Sequence, residues 1–483
     1  MRPVAVMVYG SLLLAAGAAA QVKDGVKPFV KEDGPVLVLN HARVIDGTGA
    51  APMEDQRIDI ENGKITRVQS AKLRNAYPPN AKVLDLTGKT VMPGLVGMHE
   101  HLFYPTPDAG PGRQQMYGEM ADSAPRLYLA GGVTTARTTG SVEPYTDLAL
   151  KAAIDAGETP GPKLLVTGPY LEGTPSLGPQ LHSLTGPEDA ARTVDYWAEE
   201  GVTNYKAYMH ITPEELKAAI DHAHARGLKI TGHLCSVGFT KAAELGIDDL
   251  EHGITEDKEF VPGRQEGVCG DWRNDEKWMA KNLEIDSPQV QAMIRTLVEH
   301  HVAVTSTLAV LESFTPNRPP LEKEQAAKNV LNVEAWADFA TVRAAIAERA
   351  EKSYWPVLLK KEMQFERSFV KAGGLLLAGC DPTGYGGVLP GFGDQRGMEL
   401  LVEAGFTPLE AIHIATQNGA TYLGQQEQIG SVTGGRAADL VVLDGNPAEK
   451  IDDVEKVETV FKDGIGYDPA KLRASVAGMV GIR

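Results

Sequence analysis

The sequence predicts an α/β protein, a (β/α)8 TIM barrel with a small β-sandwich that is built from both ends of the chain. Three observations lead to this fold class. Between residues 92 and 424, eight short apolar segments alternate with helix-like patterns, as in repeated βα units. Residues 21–91 hold short strand-like segments separated by turns, and residues 425–483 have the same character.

Residues 1–20 have the pattern of a secretory signal peptide. Arg2 supplies a positive charge, an apolar stretch covers residues 4–16, and small residues at 18–20 precede Gln21. The stretch is short for a membrane span, with an uncleaved anchor as the alternative. We therefore expect a periplasmic or secreted protein with no membrane association after processing.

The composition is that of a globular protein, with 43% hydrophobic and 23% charged residues among 483. The formal net charge of −17 argues against nucleic acid as a partner, because a phosphate backbone requires a basic surface. The three cysteines are too few for a disulfide framework. We expect Cys235 and Cys380 to be small buried hydrophobic residues.

The predicted sandwich begins with four strand-like segments, separated by turn signals such as Asp46-Gly47 and Asn62-Gly63. These segments cover residues 36–39, 57–60, 64–68 and 82–86. Similar segments return at 438–445 and 457–464. Two β-rich ends around a different middle predict one small domain shared by the two ends.

The central region contains eight predicted strands. In chain order they cover residues 91–101, 133–138, 163–167, 203–208, 228–233, 247–252, 302–308 and 375–381. One of the intervening helices is predicted to begin at Thr212, a good N-cap residue that is followed by Pro213. Eight strands with helices between them fit a (β/α)8 barrel. The alternative is a doubly wound sheet, but no Gly-x-Gly-x-x-Gly motif follows the first strand.

Two long polar insertions, residues 256–291 and 311–356, follow strands at the face where such barrels place their active sites. Loops of this length in a compact domain are usually functional or disordered. We expect them to form lids or walls of the substrate site. The arginines available to bind a substrate carboxylate are Arg264, Arg273, Arg318 and Arg396.

The polar residues at the predicted strand ends indicate a metal site. His99 and His101 are two residues apart in a strand, so their side chains point to the same face. In a closed barrel the strand ends meet at one mouth, where this pair would join Lys206, His233, His252 and Asp381. Each residue alone also has a structural explanation, such as a hydrogen-bonded histidine or an aspartate that starts a turn. Together, imidazoles and a carboxylate suit Zn and related divalent metals.

The motifs around these residues resemble those of the amidohydrolase superfamily. They are Pro93-Gly-Leu95 before His99-Glu-His101, Gly232-His233, Glu251-His-Gly253, Ala378-Gly-Cys-Asp381, and the closing segments 404–412, 415–420 and 435–440. The resemblance covers nearly the whole mature chain. It implies a metal-dependent hydrolase on a (β/α)8 barrel with a side β-sandwich, in a family whose members often form homo-oligomers. The chain is most similar to the branch of prolidase-like and carboxypeptidase-like enzymes, which includes enzymes that cleave amide-linked toxins such as ochratoxin.

The resemblance also implies how two metal ions would be held. One ion would be bound by His99, His101 and Asp381, the other by His233 and His252, and both by Lys206. In relatives with two metals, the lysine of the fourth strand is carboxylated and bridges the ions as a carbamate. Such a change removes the ammonium charge, which would repel a divalent cation. The alternative is a single metal, with an unmodified Lys206 that pairs with Asp381 or Glu100. Zn is the first choice on ligand type, with Mn, Co and Ni as alternatives.

The expected reaction is hydrolysis of an amide bond in a peptide-like or N-acyl amino acid substrate. Divalent metals lower the pKa of bound water and polarise a carbonyl group. Asp381 would act first as general base and then as general acid. His182 is a further candidate because relatives often carry a substrate-facing histidine after the third strand. Tyr208 and His210 could donate hydrogen bonds to a substrate carboxylate or an oxyanion. The alternatives are a surface-loop position for His182 and core packing for Tyr208.

Two other functions are considered. One is a single-metal hydrolase of cyclic amides or lactones that resembles imidazolonepropionase. The other is a non-catalytic periplasmic binding protein on the same barrel, which would require missing ligands. Because all six expected ligand residues are present, the sequence favours an enzyme with a small-molecule amide substrate.

Overall fold

The computed structural model describes residues 22–73, 75–106, 116–320, 323 and 328–482. The predicted signal peptide, residues 1–20, lies outside the described residues. Within these ranges, no helix combines the length and the apolar character that crossing a bilayer requires.

The described ranges contain nineteen strands, which are numbered in chain order. They are β1 (Val30–Glu32), β2 (Val36–Val44), β3 (Met53–Glu61), β4 (Lys64–Ser70), β5 (Lys82–Asp85), β6 (Thr90–Pro93), β7 (Leu95–Glu100), β8 (Phe103–Pro105), β9 (Tyr117–Glu119), β10 (Val133–Thr138), β11 (Lys163–Leu165), β12 (Asn204–Ala207), β13 (Lys229–Gly232), β14 (Asp249–Glu251), β15 (Ala303–Ser306), β16 (Leu376–Ala378), β17 (Leu440–Leu443), β18 (Val457–Lys462) and β19 (Ile465–Tyr467).

The α-helices of the described ranges are α1 (Ser123–Ala130), α2 (Pro144–Asp155), α3 (Pro187–Glu200), α4 (Pro213–Ala225), α5 (Phe239–Leu245), α6 (Trp272–Asn282), α7 (Pro288–Glu299), α8 (Leu308–Ser313), α9 (Val333–Glu348), α10 (Trp355–Lys371), α11 (Phe392–Glu403), α12 (Pro408–His413), α13 (Gly419–Tyr422) and α14 (Pro469–Ala474). Helix α4 begins as predicted, because the Thr212 side chain accepts a hydrogen bond from the backbone N–H of Glu215 in a capping box.

The two chain ends meet in one nine-stranded sheet. Its order is β1-β19-β18-β17-β6-β2-β3-β4, with β5 paired to β2. The predicted sandwich of two sheets is therefore not observed, although the union of the chain ends is. The reason is a register shift between Leu39 and Ala42, where β2 changes its parallel partner from β5 to β6. Strand β2 thus pairs with β5 along its first part and with β6 along its last part. The predicted domain boundary after residue 91 falls inside β6.

The eight predicted barrel strands are β7, β10, β11 and β12 to β16, all parallel to their neighbours. They form a three-stranded and a five-stranded sheet in which spatial order follows chain order, unlike a doubly wound sheet. A parallel bridge between Thr167 and Asn204 links the two sheets on one side. On the other side, the Asp381 N–H donates to the His99 carbonyl at 2.9 Å. In the described part of the chain, strand pairing does not form one continuous closed barrel.

The predicted strand over residues 91–101 is divided between the two parts of the fold. β6 belongs to the nine-stranded sheet and β7 to the parallel strands, with Gly94 between them. A Cβ atom at Gly94 would lie 2.1 Å from Thr134 Oγ1. The chain can therefore pass from one sheet to the other at this point only without a side chain.

Cys235 is buried, as predicted, but it also forms a disulfide with Cys269, which the sequence did not predict. The sulfurs meet because the loop before α6 folds back over the end of β13. There the Gly267 N–H donates to the Ser236 carbonyl at 2.8 Å, and the Arg264 guanidinium donates to the Cys235 carbonyl. Cys380 is buried and free, as predicted.

Replacing Cys269 with Ser should lower the free energy of unfolding by about 2–4 kcal/mol, because the disulfide constrains the unfolded chain across a separation of 34 residues. Denaturant titration followed by circular dichroism measures the change. Reductant should cause the same loss in the wild type and no further loss in Cys269→Ser. Equal stability of the variant and the oxidised wild type would contradict this role.

Candidate metal centre

The structure brings the predicted ligands of strands β7, β12, β14 and β16 into one buried cluster. Ligand atoms of His99, His252 and Asp381 lie within 4.8 Å of one another. His101 Nε2 is 3.3 Å from Asp381 Oδ1, and Lys206 Nζ is 3.2 Å from His99 Nε2. Five residues from the ends of four strands therefore surround one small space.

His233, the sixth predicted ligand, borders this cluster. Its ring centroid is 4.4 Å from that of His252, and the two rings are nearly perpendicular. Its Nε2 lies 3.3 Å from Glu256 Oε2. Glu256 was not predicted as a site residue, because one carboxylate in an acidic insertion is not distinctive in the sequence.

The backbone at the strand ends is constrained in two places. His252 and Asp381 have φ angles of 64° and 48°, in the left-handed region that residues other than glycine rarely adopt. Such strain is concentrated at functional sites, where the surrounding structure enforces it. A Cβ atom at Gly379 would lie 2.3 Å from the His99 nitrogen, so glycine allows β16 to approach β7 closely.

Hydrogen bonds orient two of the histidine rings. His99 Nδ1 lies 2.6 Å from Glu251 Oε2, and His252 Nδ1 lies 2.7 Å from Thr307 Oγ1. Protons on these nitrogens leave the lone pairs on Nε2. Among the described residues, the buried Nε2 of His252 has no hydrogen-bond partner. A lone pair held in this way beside the carboxylate of Asp381 fits a metal ligand. Glu251 and Thr307 were not predicted as orienting residues.

The protonation states of the cluster also suit a divalent cation. Burial lowers the pKa of His99 and His252 well below its usual range, so these imidazoles are neutral. Burial would raise the pKa of Asp381, but His99 and its neighbouring histidines hold it well below its usual range. Neutral imidazoles and an ionised carboxylate are the forms that bind metal.

Lys206 is only 2% exposed, and burial lowers its pKa. No carboxylate oxygen of the described residues lies within 4.0 Å of its Nζ, so the alternative pairing with Asp381 or Glu100 is not observed. Glu100 instead accepts a hydrogen bond from the Cys380 N–H at 3.3 Å. The amine faces the rings of Tyr170 and Tyr208 at 5.5 and 5.6 Å.

Tyr208 lies beside the cluster, with its ring centroid 5.1 Å from that of His233. Burial raises its pKa well above the usual range, so its hydroxyl remains a hydrogen-bond donor. His210, two residues further on, is directed to Glu172, with 2.6 Å between Nδ1 and Oε1. Tyr170, which was not predicted, completes an aromatic wall with Tyr208.

His182 does not belong to the histidine cluster. Its side chain is 54% exposed, and its Nε2 is 3.0 Å from Asp189 Oδ2. It lines a cavity of about 420 Å³ that Tyr170 also lines. Through Tyr170, this cavity adjoins the side of the cluster that holds Lys206. A catalytic role of His182 stays a prediction.

The four candidate arginines make contacts within the chain. Arg318 and Arg396 both bind the buried Glu312, at 2.7 and 2.8 Å. Arg273 stacks on Trp272, with 4.9 Å from its Cζ to the ring centroid. Arg264 binds the Cys235 carbonyl, as described above. These contacts do not indicate which of the four arginines would bind a substrate carboxylate.

The chain matches the model of the amidohydrolase family over residues 90–465 and belongs to that family. The resemblance predicted from the strand-end motifs is thereby confirmed. Members of this family are metal-dependent hydrolases on a TIM-barrel fold, and the buried histidine cluster supplies the candidate ligands in this chain.

Solved structures of similar fold include three hydrolases. A Xaa-Pro dipeptidase with bound methionine is 20% identical, with 90% of this chain and 100% of that chain covered and a TM-score of 0.66. An A. niger ochratoxinase is 19% identical, with coverages of 90% and 96% and a TM-score of 0.61. A molinate hydrolase is 19% identical, with coverages of 94% and 99% and a TM-score of 0.64. These likenesses concern the fold.

Curated relatives match shorter parts of the chain. A dihydroorotase of Aquifex aeolicus is 34% identical over 99 residues, which are 20% of each protein. Adenine deaminase 2 of Bradyrhizobium sp. is 25% identical over 236 residues, which are 46% of this chain and 36% of the relative. The matches thus span about a fifth and about a third of these relatives.

Replacing Thr307 with Val should weaken metal retention about 10-fold, because the His252 ring loses the hydroxyl that orients it. Metal content per chain after dialysis against graded chelator measures the effect. Thr315→Val is a matched control, since that hydroxyl lies just after α8 and donates to the Leu311 carbonyl of that helix. Unchanged retention in Thr307→Val would contradict the orienting role.

Proposed function

We propose that this protein hydrolyses an amide bond in a peptide-like or N-acyl amino acid substrate, using two divalent metal ions. The proposal depends on one observation. Neutral imidazoles and an ionised aspartate surround the amine of Lys206, which has no carboxylate partner within 4.0 Å among the described residues. A buried ammonium without a counter-ion is unfavourable, whereas a carboxylated lysine would supply a negative charge at this point.

The proposed ligands follow the expected division. His99, His101 and Asp381 would hold one ion, His233 and His252 would hold the other, and a carboxylated Lys206 would contribute to both. The lysine carbamate forms when the neutral amine bonds to the carbon of CO2 and releases a proton. Lowering of the Lys206 pKa by burial favours that neutral form. Imidazole and carboxylate ligands make Zn the first choice.

When bound, the ions supply a Lewis acid that polarises the substrate carbonyl and lowers the pKa of water. Asp381 is the proposed general base, because its carboxylate is ionised and lies within the cluster. It accepts a proton from the attacking water and then donates it to the leaving nitrogen. Tyr208 is the proposed donor to the developing oxyanion or to a substrate carboxylate.

The substrate class has separate support. The folds of a Xaa-Pro dipeptidase and an ochratoxinase are similar to this fold over 90% of the chain. His182 is proposed to contact a part of the substrate away from the scissile bond, through the cavity that it shares with Tyr170. The single-metal alternative receives less support. It requires an unmodified Lys206 paired with Asp381 or Glu100, and no carboxylate oxygen of the described residues lies within 4.0 Å of the Lys206 amine.

We also propose that residues 1–20 are a cleaved signal peptide and that the enzyme acts in the periplasm or outside the cell. The disulfide between Cys235 and Cys269 supports this location, because disulfides persist in oxidising compartments. The substrate is a small molecule, and the net charge of −17 makes nucleic acid an unsuitable partner. Assembly into homo-oligomers is part of the proposal.

Lys206→Ala should lower the metal content from two ions per chain and reduce kcat/KM for N-acyl amino acids by at least about 100-fold. Elemental analysis, intact mass for the carbamate, and assays against N-acyl amino acids and lactones measure these effects. Lys217→Ala, which changes an exposed lysine paired with Asp221, is the control. One ion per chain in the wild type, with full activity in Lys206→Ala, would contradict the two-metal proposal.

Asp381→Asn should reduce kcat by about 10²–10⁴-fold, because the amide cannot accept the proton from water. Metal content is measured in parallel, since loss of metal alone would also abolish activity. The proton-transfer role is supported if activity falls while metal remains bound. An Asp381→Asn variant with wild-type kcat would exclude it.

A further inference from the structure

The loop after β14 carries a carboxylate to which the proposed mechanism gives no role. Glu256 Oε2 is 3.3 Å from His233 Nε2, and the Glu256 side chain is 14% exposed. Glu256 follows His252 by four residues, so the same loop begins at one histidine and returns to another. The contact therefore connects the ends of β13 and β14 at the mouth of the site.

The other oriented rings show what such a contact can do. His99 and His252 each direct Nδ1 to a fixed oxygen, of Glu251 at 2.6 Å and of Thr307 at 2.7 Å. His233 is arranged the other way round, with Nε2 toward Glu256. A proton on Nε2 leaves the lone pair of His233 on Nδ1.

The charge beside Glu256 fits this arrangement. Lys258 Nζ lies 3.9 Å from Glu256 Oε2, and the Lys258 side chain is fully buried. The same amine donates to the Thr255 carbonyl. A buried cation at this distance stabilises the carboxylate form of Glu256, which accepts hydrogen bonds only.

The covalent link nearby limits how far the loop can move. Cys235 comes two residues after His233, and its disulfide partner Cys269 lies at the far end of the loop that begins with Glu256. The Gly267 N–H also donates to the Ser236 carbonyl at 2.8 Å. His233 thus lies next to, and Glu256 within, the segment that the disulfide and this hydrogen bond hold together.

We propose that Glu256 is a positioning residue, which accepts the Nε2–H of His233 and so presents Nδ1 to the second metal ion. The inference rests on the proposed function, because it takes His233 as a ligand of that ion. Carboxylates that orient ligating histidines in this way commonly change metal affinity about 10–100-fold when they are removed.

The test compares Glu256→Ala and Glu256→Gln with the wild type in the full-length mature protein. Zn per chain is measured by elemental analysis after equilibration with graded chelator. Glu256→Ala should weaken one of the two ions about 10–100-fold and leave the other unchanged. Glu256→Gln should weaken it less, because its amide oxygen still accepts the ring proton. Glu266→Gln is the control, since that carboxylate in the same loop accepts from the Gly238 N–H at 3.2 Å.

Absorption spectra of the Co²⁺-loaded proteins add a readout of ligand geometry, and thermal unfolding checks that the variants fold. Two ions of wild-type affinity in Glu256→Ala would overturn the role of Glu256 alone. Loss of the ion in Glu256→Gln as complete as in His233→Ala would make Glu256 a ligand and also overturn the positioning role. A wild type with a single ion would instead contradict the proposed two-metal function.

Discussion

One buried carboxylate, that of Glu251, connects the parts on which the site depends. From β14 it accepts the ring proton of His99 on β7, at 2.6 Å, and the hydroxyl proton of Thr231 on β13, at 2.5 Å. It also binds Arg137 on β10, at 3.0 Å. Glu251 therefore joins strands of the three-stranded and the five-stranded sheets inside the fold. Removal of Arg137 would leave the carboxylates of Glu251 and Asp249 buried without the charge that compensates them.

The same network balances the buried positive charge of Arg137. Arg137 forms ion pairs with Asp249 and Glu251 and donates to the Met98 carbonyl, which precedes His99 in β7. Asp381 is an ionised group beside the neutral ring of His99. The geometry of the ligands is thus imposed by groups that do not themselves need to touch a metal.

Much of the site could be predicted because parallel βα units place strand ends on one face, whatever their distance in sequence. That rule predicts that His99, Lys206 and Asp381 lie close together. The centres of the eight strands were also predicted, since each is a short apolar segment. The orienting residues were missed because a carboxylate such as Glu251 becomes recognisable only when its partner, 152 residues away, is located.

The errors have equally local causes. Nothing in the spacing of three cysteines indicates that residues 235 and 269 would meet, because the loop between them folds back through backbone hydrogen bonds. The sandwich of two sheets is not shown by the strand pairing, because alternation identifies strands but does not show that β2 changes its parallel partner from β5 to β6.

The continuity of β6 and β7 through Gly94 has a consequence for modularity. A barrel separated from the rest of the chain at residue 92 would divide β6 and leave the facing backbone groups of β17 without their partner. The terminal sheet therefore cannot be exchanged as an independent unit by recombination at residue 92. A functional swap of the terminal sheet between relatives would have to keep β6 whole beside β17, which places the junction at Gly94, five residues before His99.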